Sequence, residues 1–228
     1  VTHAHVDHLS LDSLARLPRD VPVWAPPAVA RWLAGRGVRT AQAIAPGETV
    51  PLGPLSIHAE AATHVGSRYG VDRWRAEANM YLLDTAERSA FFAGDTGLTT
   101  STHRLCERVL HEADRALDVA LLPIGHAPWW KPGFRKGHLT SADALTLFDR
   151  LGARWMIPYH WGTFNHVTSN GVVEERVRGA STCGGIWKRD PEAGSESERR
   201  GRTSRSHCVT PPSDPAVRSP IPPSDPGA

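Results

Sequence analysis

The chain opens on Thr2-His3-Ala4-His5-Val6-Asp7-His8, four potential metal ligands within six positions. Neutral imidazole and carboxylate are the usual ligands of zinc and similar ions. On an extended segment His3 and His5, two residues apart, point the same way and can grip one metal. Asp7 and His8, where the chain turns, can serve a second metal a few ångströms away. With only 12 histidines in 228 residues, such a cluster is rare by chance. The competing reading is a solvated polar terminus or the remnant of a tag. Partners downstream decide between the two, and they constrain the fold, since each must reach the opening segment.

Three partners follow. His64 lies in Ala61-Ala62-Thr63-His64-Val65-Gly66-Ser67-Arg68, just after an alternating apolar run. Asp95 sits in Phe91-Phe92-Ala93-Gly94-Asp95-Thr96-Gly97, at the end of a strand-like segment. His160 closes the apolar run Trp155-Met156-Ile157-Pro158-Tyr159. In an α/β protein, strand ends are where ligands converge. Any one of these residues alone reads as structural, and Asp-Thr-Gly alone is a turn signal. The series carries the weight.

From Val1 to about Arg178 helix-like and strand-like segments alternate, the pattern of an α/β domain. Ser10 is a helix N-cap before Leu11, Leu14 and Leu17, and Pro26 to Leu33 reads as a second helix stopped by Gly35. Val50 to Ala61 is strand-rich, with Gly53-Pro54 as a turn. Met80 to Leu83 and Ser89 to Phe92 form a hairpin around Asp84 to Arg88. Ser101 to Ala113 reads as a helix and Val119 to Ile124 as a buried strand. Thr140-Ser141-Ala142-Asp143 resembles a capping box for a helix running through Leu151. From about residue 179 Gly, Ser, Arg and Pro dominate, and Pro-Pro-Ser-Asp-Pro occurs twice. Such a segment buries too little apolar surface to offset its ordering entropy, so 179–228 is expected to be a disordered tail behind a domain of 1–178.

Composition removes several function classes. A net charge of +2 leaves no large nucleic-acid footprint, so no nucleic-acid partner is expected. No run of about 18 apolar residues exists, which excludes a spanning helix. The three cysteines, Cys106, Cys183 and Cys208, have neither metal-type spacing nor a disulfide framework. With no secretory signal ahead of the motif, a cytoplasmic protein is expected, with peripheral membrane contact left open. Oligomeric state is not legible.

The order His-x-His-x-Asp-His, then His64, Asp95 and His160, each ending a strand, resembles the ligand order of metallo-β-lactamase-fold hydrolases over about residues 1–164. Finer motifs resemble one branch, the N-acyl-phosphatidylethanolamine-hydrolysing phospholipase D group and its bacterial relatives. They are Phe92-Ala93-Gly94-Asp95-Thr96-Gly97, Leu121-Leu122-Pro123-Ile124-Gly125, Gly137-His138-Leu139-Thr140 and His160-Trp161-Gly162-Thr163-Phe164. The ascorbate-6-phosphate lactonases are the nearest cousins. The resemblance implies an αββα sandwich of α+β layers. Family members carry several strands before the first motif, so the sandwich is expected with its first half incomplete and the chain as N-terminally truncated.

The resemblance also implies a site. It assigns His3, His5 and His64 to one divalent metal, Asp7, His8 and His160 to a second, with Asp95 bridging. Zn2+ leads, and Mn2+ and Fe2+ suit the same ligands. A hydroxide held by the metal pair would attack a phosphodiester or related ester, with Asp7 either orienting it and taking its proton or serving as a plain ligand with no proton role. His138, by the same resemblance, faces the metals and hydrogen-bonds the substrate's oxyanion or leaving group; otherwise it is a histidine at a helix start. Trp129, Trp130 and Trp161 either wall an amphiphilic substrate or are ordinary core and rim residues. Arg68 and Lys131 either attract a phosphate or are surface charges. His58 reads as a strand-face residue, and His103, His111, His126, His166 and His207 match no motif. The expected function is a phospholipase D-like, metal-dependent hydrolase acting on a small-molecule or lipid-like ester. The alternatives are a lactonase or other hydrolase of the same fold, or an inactive fragment.

Overall fold

Period-two alternation of apolar residues builds the centre of the molecule, seen in a computed structural model that describes residues 1–68, 77–124, 133–160, 187–189 and 206–208. In chain order the elements begin with α1 (Leu11–Leu14), β1 (Val23–Ala25), α2 (Pro27–Ala34) and β2 (Ala41–Ala43). Next come β3 (Thr49–Leu52), β4 (Leu55–Ala61), β5 (Asn79–Asp84), β6 (Ser89–Phe92) and α3 (Arg104–Cys106), which runs into a π-helical turn at Glu107–His111. The remainder are β7 (Val119–Pro123), a 3₁₀ turn at Phe134–Lys136, α4 (Ser141–Leu151), β8 (Trp155–Tyr159), β9 (Trp187–Arg189) and β10 (Ser206–Cys208).

Eight strands form one sheet in the order β10-β9-β8-β7-β6-β5-β4-β3, and β1 pairs with β2 in a separate parallel ribbon. From β3 to β6 neighbours are antiparallel, β6-β7-β8 are parallel, and β9 and β10 add antiparallel at the end. Alternation assigns the two faces. Met80, Leu82, Phe91, Ala120, Leu122 and Met156 point to one side, where Leu105, Leu110, Leu147 and Phe148 of the helical layer cover them. Tyr81 points to the other side, with Ile44, Ala59 and the partly buried Trp24, Ile57 and Phe92. There the β1-β2 ribbon lies on the sheet, and α2 closes it from outside with Val29, Trp32 and Leu33 packed against Ala4 and Leu9. The layers are therefore helix, sheet, ribbon, helix. Among the described residues the first sheet of the sandwich consists of two strands only. Each fully buried Leu or Phe in these cores contributes about 1.5–3 kcal/mol.

Most expected elements are present. The Gly53-Pro54 turn joins β3 to β4, and Asp84 faces Ser89 across the second hairpin. Three departures have physical reasons. The helix expected to reach Leu17 is a single capped turn, with Ser10 Oγ accepting from Ser13 N at 3.2 Å, and Leu17 is 44% exposed with no core to join. The helix expected over 101–113 is α-helical for one turn and then widens into the π turn. The β1-β2 ribbon was not expected because Ala41-Gln42-Ala43 has no β-branched or aromatic residue; its pairing with β1 and α2 makes it a strand. Within 179–228, β9 and β10 carry the sheet past the boundary expected at 178, and the rest of that segment lies outside the described residues. No helix among the described residues is long and apolar enough to cross a membrane.

The N-terminus of α4 is the best-defined helix end. Thr140 Oγ1 accepts from Asp143 N, and the Asp143 carboxylate accepts from Thr140 N at 3.1 Å. Arg135 adds a two-pronged contact to the same carboxylate, at 2.9 and 3.2 Å. Burial works against ionising Asp143, but the hydrogen bonds from Arg135 and Thr140 outweigh it and hold the carboxyl below its ordinary range. A carboxyl depressed in the folded state adds stability above its unfolded pKa and loses it as the pH falls. Asp143→Asn is therefore expected to cost about 1 kcal/mol at neutral pH, with the gap to the parent closing as the pH drops below about 4. Urea unfolding at pH 7 and at pH 3.5 measures this, and a gap that does not shrink with pH contradicts it.

Candidate metal centre

Strand direction explains why distant residues meet. β4, β6, β7 and β8 all run the same way, so their C-terminal ends lie at one end of the sheet. His64 follows β4, Asp95 follows β6 and His160 follows β8. The opening segment is tied to that same end. Asn79 N donates to Thr2 O at 2.9 Å, Ala4 N to Gly66 O at 3.0 Å, and the Tyr81 hydroxyl to Val1 O at 2.7 Å. The chain then turns, with His8 N and Leu9 N both donating to His5 O, at 3.1 and 2.9 Å.

Two donor groups result. His3, His5, His64 and Asp95 bring ligand atoms within 4.8 Å of one another, and so do Asp7, His8 and His160. In the first group, Nε2 of His3 and Nε2 of His64 lie 3.0 and 3.2 Å from Nδ1 of His5. In the second, Asp7 Oδ2 stands 3.5 Å from His8 Nε2 and 3.4 Å from His160 Nε2. Asp95 joins them. Its Oδ2 is 3.3 Å from His8 Nε2 and 3.9 Å from Nε2 of both His3 and His64, and its Oδ1 is 3.5 Å from His160 Nε2. His138 belongs here too, with Nε2 3.6 Å from Asp95 Oδ2. The structure thus brings together all eight residues expected at the site.

The far sides of the rings show which nitrogen faces inward. His64 Nδ1 donates to Gly137 O at 2.9 Å, and His138 Nδ1 donates to Phe134 O at 3.0 Å. His3 Nδ1 is 3.1 Å from Thr2 Oγ1. Such partners fix the tautomer of a ligating histidine. Neutral His64 and His138 then present Nε2 lone pairs to a carboxylate, acceptor facing acceptor. His8 Nε2 and Asp95 Oδ1 are buried without a hydrogen-bond partner. Lone pairs and orphaned acceptors converging on one space are the donor chemistry of a divalent cation site, and the residues fit one.

Most of the protonation states suit that role, His160 being the exception. Burial drives His3 down to about 2 and His64 down to about 4, and it lowers His5 and His138 as well. Asp7 falls to about 2, chiefly through its hydrogen bond with His160, which is raised in turn. Burial opposes ionisation of Asp95, yet the surrounding histidines, His8 foremost, hold its carboxyl well below the usual range. Neutral imidazoles and ionised carboxylates are the forms that bind metal.

Backbone strain and tight packing hold the loops. Gly94 has φ 57°, and a Cβ there would come within 2.9 Å of Thr2 Cγ2, so glycine lets the Asp95 loop pass the opening segment. His160 itself has φ 66°, an uncommon conformation for a side-chain-bearing residue, held where it aims the ring at Asp7 and Asp95. Gly97 lies against the 3₁₀ turn so closely that a Cβ would clash with Lys136 O.

Other expectations resolve differently. Arg68 is not a phosphate attractor: its Nη1 donates to Ala4 O at 3.3 Å and Leu9 O at 2.8 Å, and its guanidinium lies 5.1 Å from the centre of the Trp32 ring. His58 is a strand-face residue, 2.9 Å from Thr49 Oγ1. His103 pairs with Glu107 at 3.3 Å, away from the centre. His126, Trp129, Trp130, Lys131, Trp161 and His166, and the side chain of His207, lie outside the described residues. Sequence reasoning missed Phe134, whose ring stacks on His138 at 3.8 Å and 2°. Its place four residues before His138 was the available signal.

Comparison with known proteins gives the family. A family model described as a beta-lactamase superfamily domain matches residues 1–161. A metal-dependent hydrolase of Methanospirillum hungatei JF-1 is 29% identical over 169 residues, covering 73% of this chain and 68% of the relative. The mitochondrial N-acyl-phosphatidylethanolamine-hydrolyzing phospholipase D of Saccharomyces cerevisiae is 29% identical over 172 residues; these cover 72% of this chain but only 36% of that enzyme. Among solved structures, a protein described as a possible metal-dependent hydrolase from Veillonella parvula superposes with a TM-score of 0.60. At 18% identity, covering 78% of this chain and 68% of that one, the likeness is one of fold.

The packing of Gly97 generates a test. Gly97→Ala is expected to push the 133–138 turn away from the Asp95 loop, at a cost of about 1–3 kcal/mol. Thermal unfolding of the variant measures it, and a melting temperature equal to the parent's contradicts the close approach.

Proposed function

Because the chain belongs to the beta-lactamase superfamily domain family, we propose that it is a metal-dependent hydrolase that cleaves a phosphodiester with the site at the C-terminal ends of β4, β6 and β8. The observation that carries the reading is the pair of donor groups joined by buried Asp95. Two divalent metals fit these groups, and when bound they supply Lewis-acid activation of a water and neutralise charge on the substrate's oxygens. The likeness to phospholipases of yeast and Caenorhabditis elegans supports a phosphodiester over a lactone.

The chain's own residues then divide the work. His3, His5, His64 and Asp95 would hold one cation and Asp7, His8 and His160 the other. Asp7 is ionised and reaches the surface, its side chain 32% exposed, so it can orient an attacking water and accept its proton. Attack of the water oxygen at phosphorus forms one P–O bond and breaks the ester P–O bond, giving a phosphomonoester and an alkoxide that leaves as the alcohol by taking the proton Asp7 accepted. His138, whose side chain is 17% exposed, faces the same space. Since its Nδ1 proton is spent on Phe134 O, its Nε2 donates to a substrate oxygen only as the imidazolium. A bound phosphodiester anion favours that form.

Hydrolysis of bis(p-nitrophenyl) phosphate tests the reading. Activity is expected to vanish with a chelator, to return with Zn2+ or Mn2+, and to fall at least about a thousandfold in Asp95→Asn. A lactone turned over in preference to the diester would replace the substrate class, and no metal-dependent turnover of either would overturn the hydrolase reading. His138→Asn is expected to lower kcat about 100- to 1,000-fold while leaving metal content unchanged. Loss of metal in that variant would instead make His138 a ligand.

A further inference from the structure

The two donor groups are not anchored equally. His3 lies in a segment bonded on both sides, through Thr2 O to Asn79 and through Ala4 N to Gly66. His64 is held by Gly137 O, and the Asp95 loop by the Tyr159 hydroxyl donating to Gly94 O at 2.6 Å. Asp7 and His8 sit instead on a turn at the surface, where Val6 is 67% exposed. Within that turn the backbone bonds run only to His5 O. Among the described residues, one side chain bonds to both of its ends.

Arg68 reaches across from the segment after His64. A single Nη1 donates to Ala4 O, before the turn, and to Leu9 O, after it, at 3.3 and 2.8 Å. The guanidinium is itself held against the Trp32 ring of α2, 5.1 Å from its centre, with Arg36 4.9 Å from the same centre. A planar cation stacked on an aromatic ring has little freedom, so its donor stays in place. Ala4 and Leu9 are both 1% exposed, and water is a poor substitute for the guanidinium at their carbonyls. We propose that Arg68 is the positioning residue for the turn between Ala4 and Leu9: it clamps the ends of a segment that carries two of the three donors of the second group, Asp7 and His8, but only His5 of the four in the first, and so controls binding of the second cation more than the first. This rests on the reading of the site as a two-metal centre.

Calorimetric titration of metal-stripped protein with Zn2+, repeated with Co2+ and followed by visible absorption, tests the inference. The parent is expected to take up two equivalents. In Arg68→Ala the first equivalent should bind within about threefold of the parent, and the second about 10- to 100-fold more weakly. Arg68→Lys keeps the charge and one donor but not the planar stack, so it should recover part of the lost affinity. Equal weakening of both equivalents, or of neither, in a variant with the parent's circular dichroism overturns the clamp. Should Arg68→Ala fail to fold, Arg68→Lys is judged by the same split between first and second equivalents. A parent that binds fewer than two equivalents overturns the two-metal reading itself, and the clamp with it.

Discussion

One carboxylate organises the molecule. Asp95 is 2% exposed, and Nε2 atoms of His3, His8, His64, His138 and His160 stand within 3.9 Å of its oxygens. Isolating a charge at that depth is costly unless opposite charge or donors surround it. Here the five surrounding rings come from four places in the chain, so the carboxylate can be accommodated only if β4, β6 and β8 run in the same direction and the opening segment lies across their ends. The sheet topology and the site are in that sense one constraint.

A short stretch next to Asp95 carries the link to the helical layer. Phe134 stacks on His138 and its carbonyl accepts a hydrogen bond from His138 Nδ1, while Arg135 grips Asp143 at the start of α4. The backbone of Lys136 abuts Gly97, and Gly137 O accepts from His64. Four consecutive residues thus join the capping box, the Asp95 loop and two histidines of the site. Direct contacts thus connect the first turn of α4 to the candidate metal centre.

The donor residues were legible because their chemistry is scarce in the sequence and their positions close apolar runs. His64, Asp95 and His160 each follow a strand that alternation or apolar length marks on its own. The Thr140–Asp143 cap was legible for the same kind of reason, a local pattern with a local cause. Arg68 was not. An arginine beside a metal motif reads equally as a phosphate-binding group or a surface charge, and only the placement of Ala4, Leu9 and Trp32 shows that it is a clamp. The β1-β2 ribbon escaped likewise, since an Ala-Gln-Ala segment carries no periodicity.

By itself the sequence determined the donor types, their order along the chain, and the strands and caps that local pattern specifies. Side-chain periodicity and capping chemistry act over a few residues, so they can be read from neighbours. The tertiary structure alone decided which histidine nitrogen faces inward, how Asp95 spans two donor groups, and what holds the Asp7–His8 turn. Those features depend on contacts between residues such as His64 and Gly137, or Arg68 and Leu9. Packing of remote segments brings such pairs together, and no local rule encodes it.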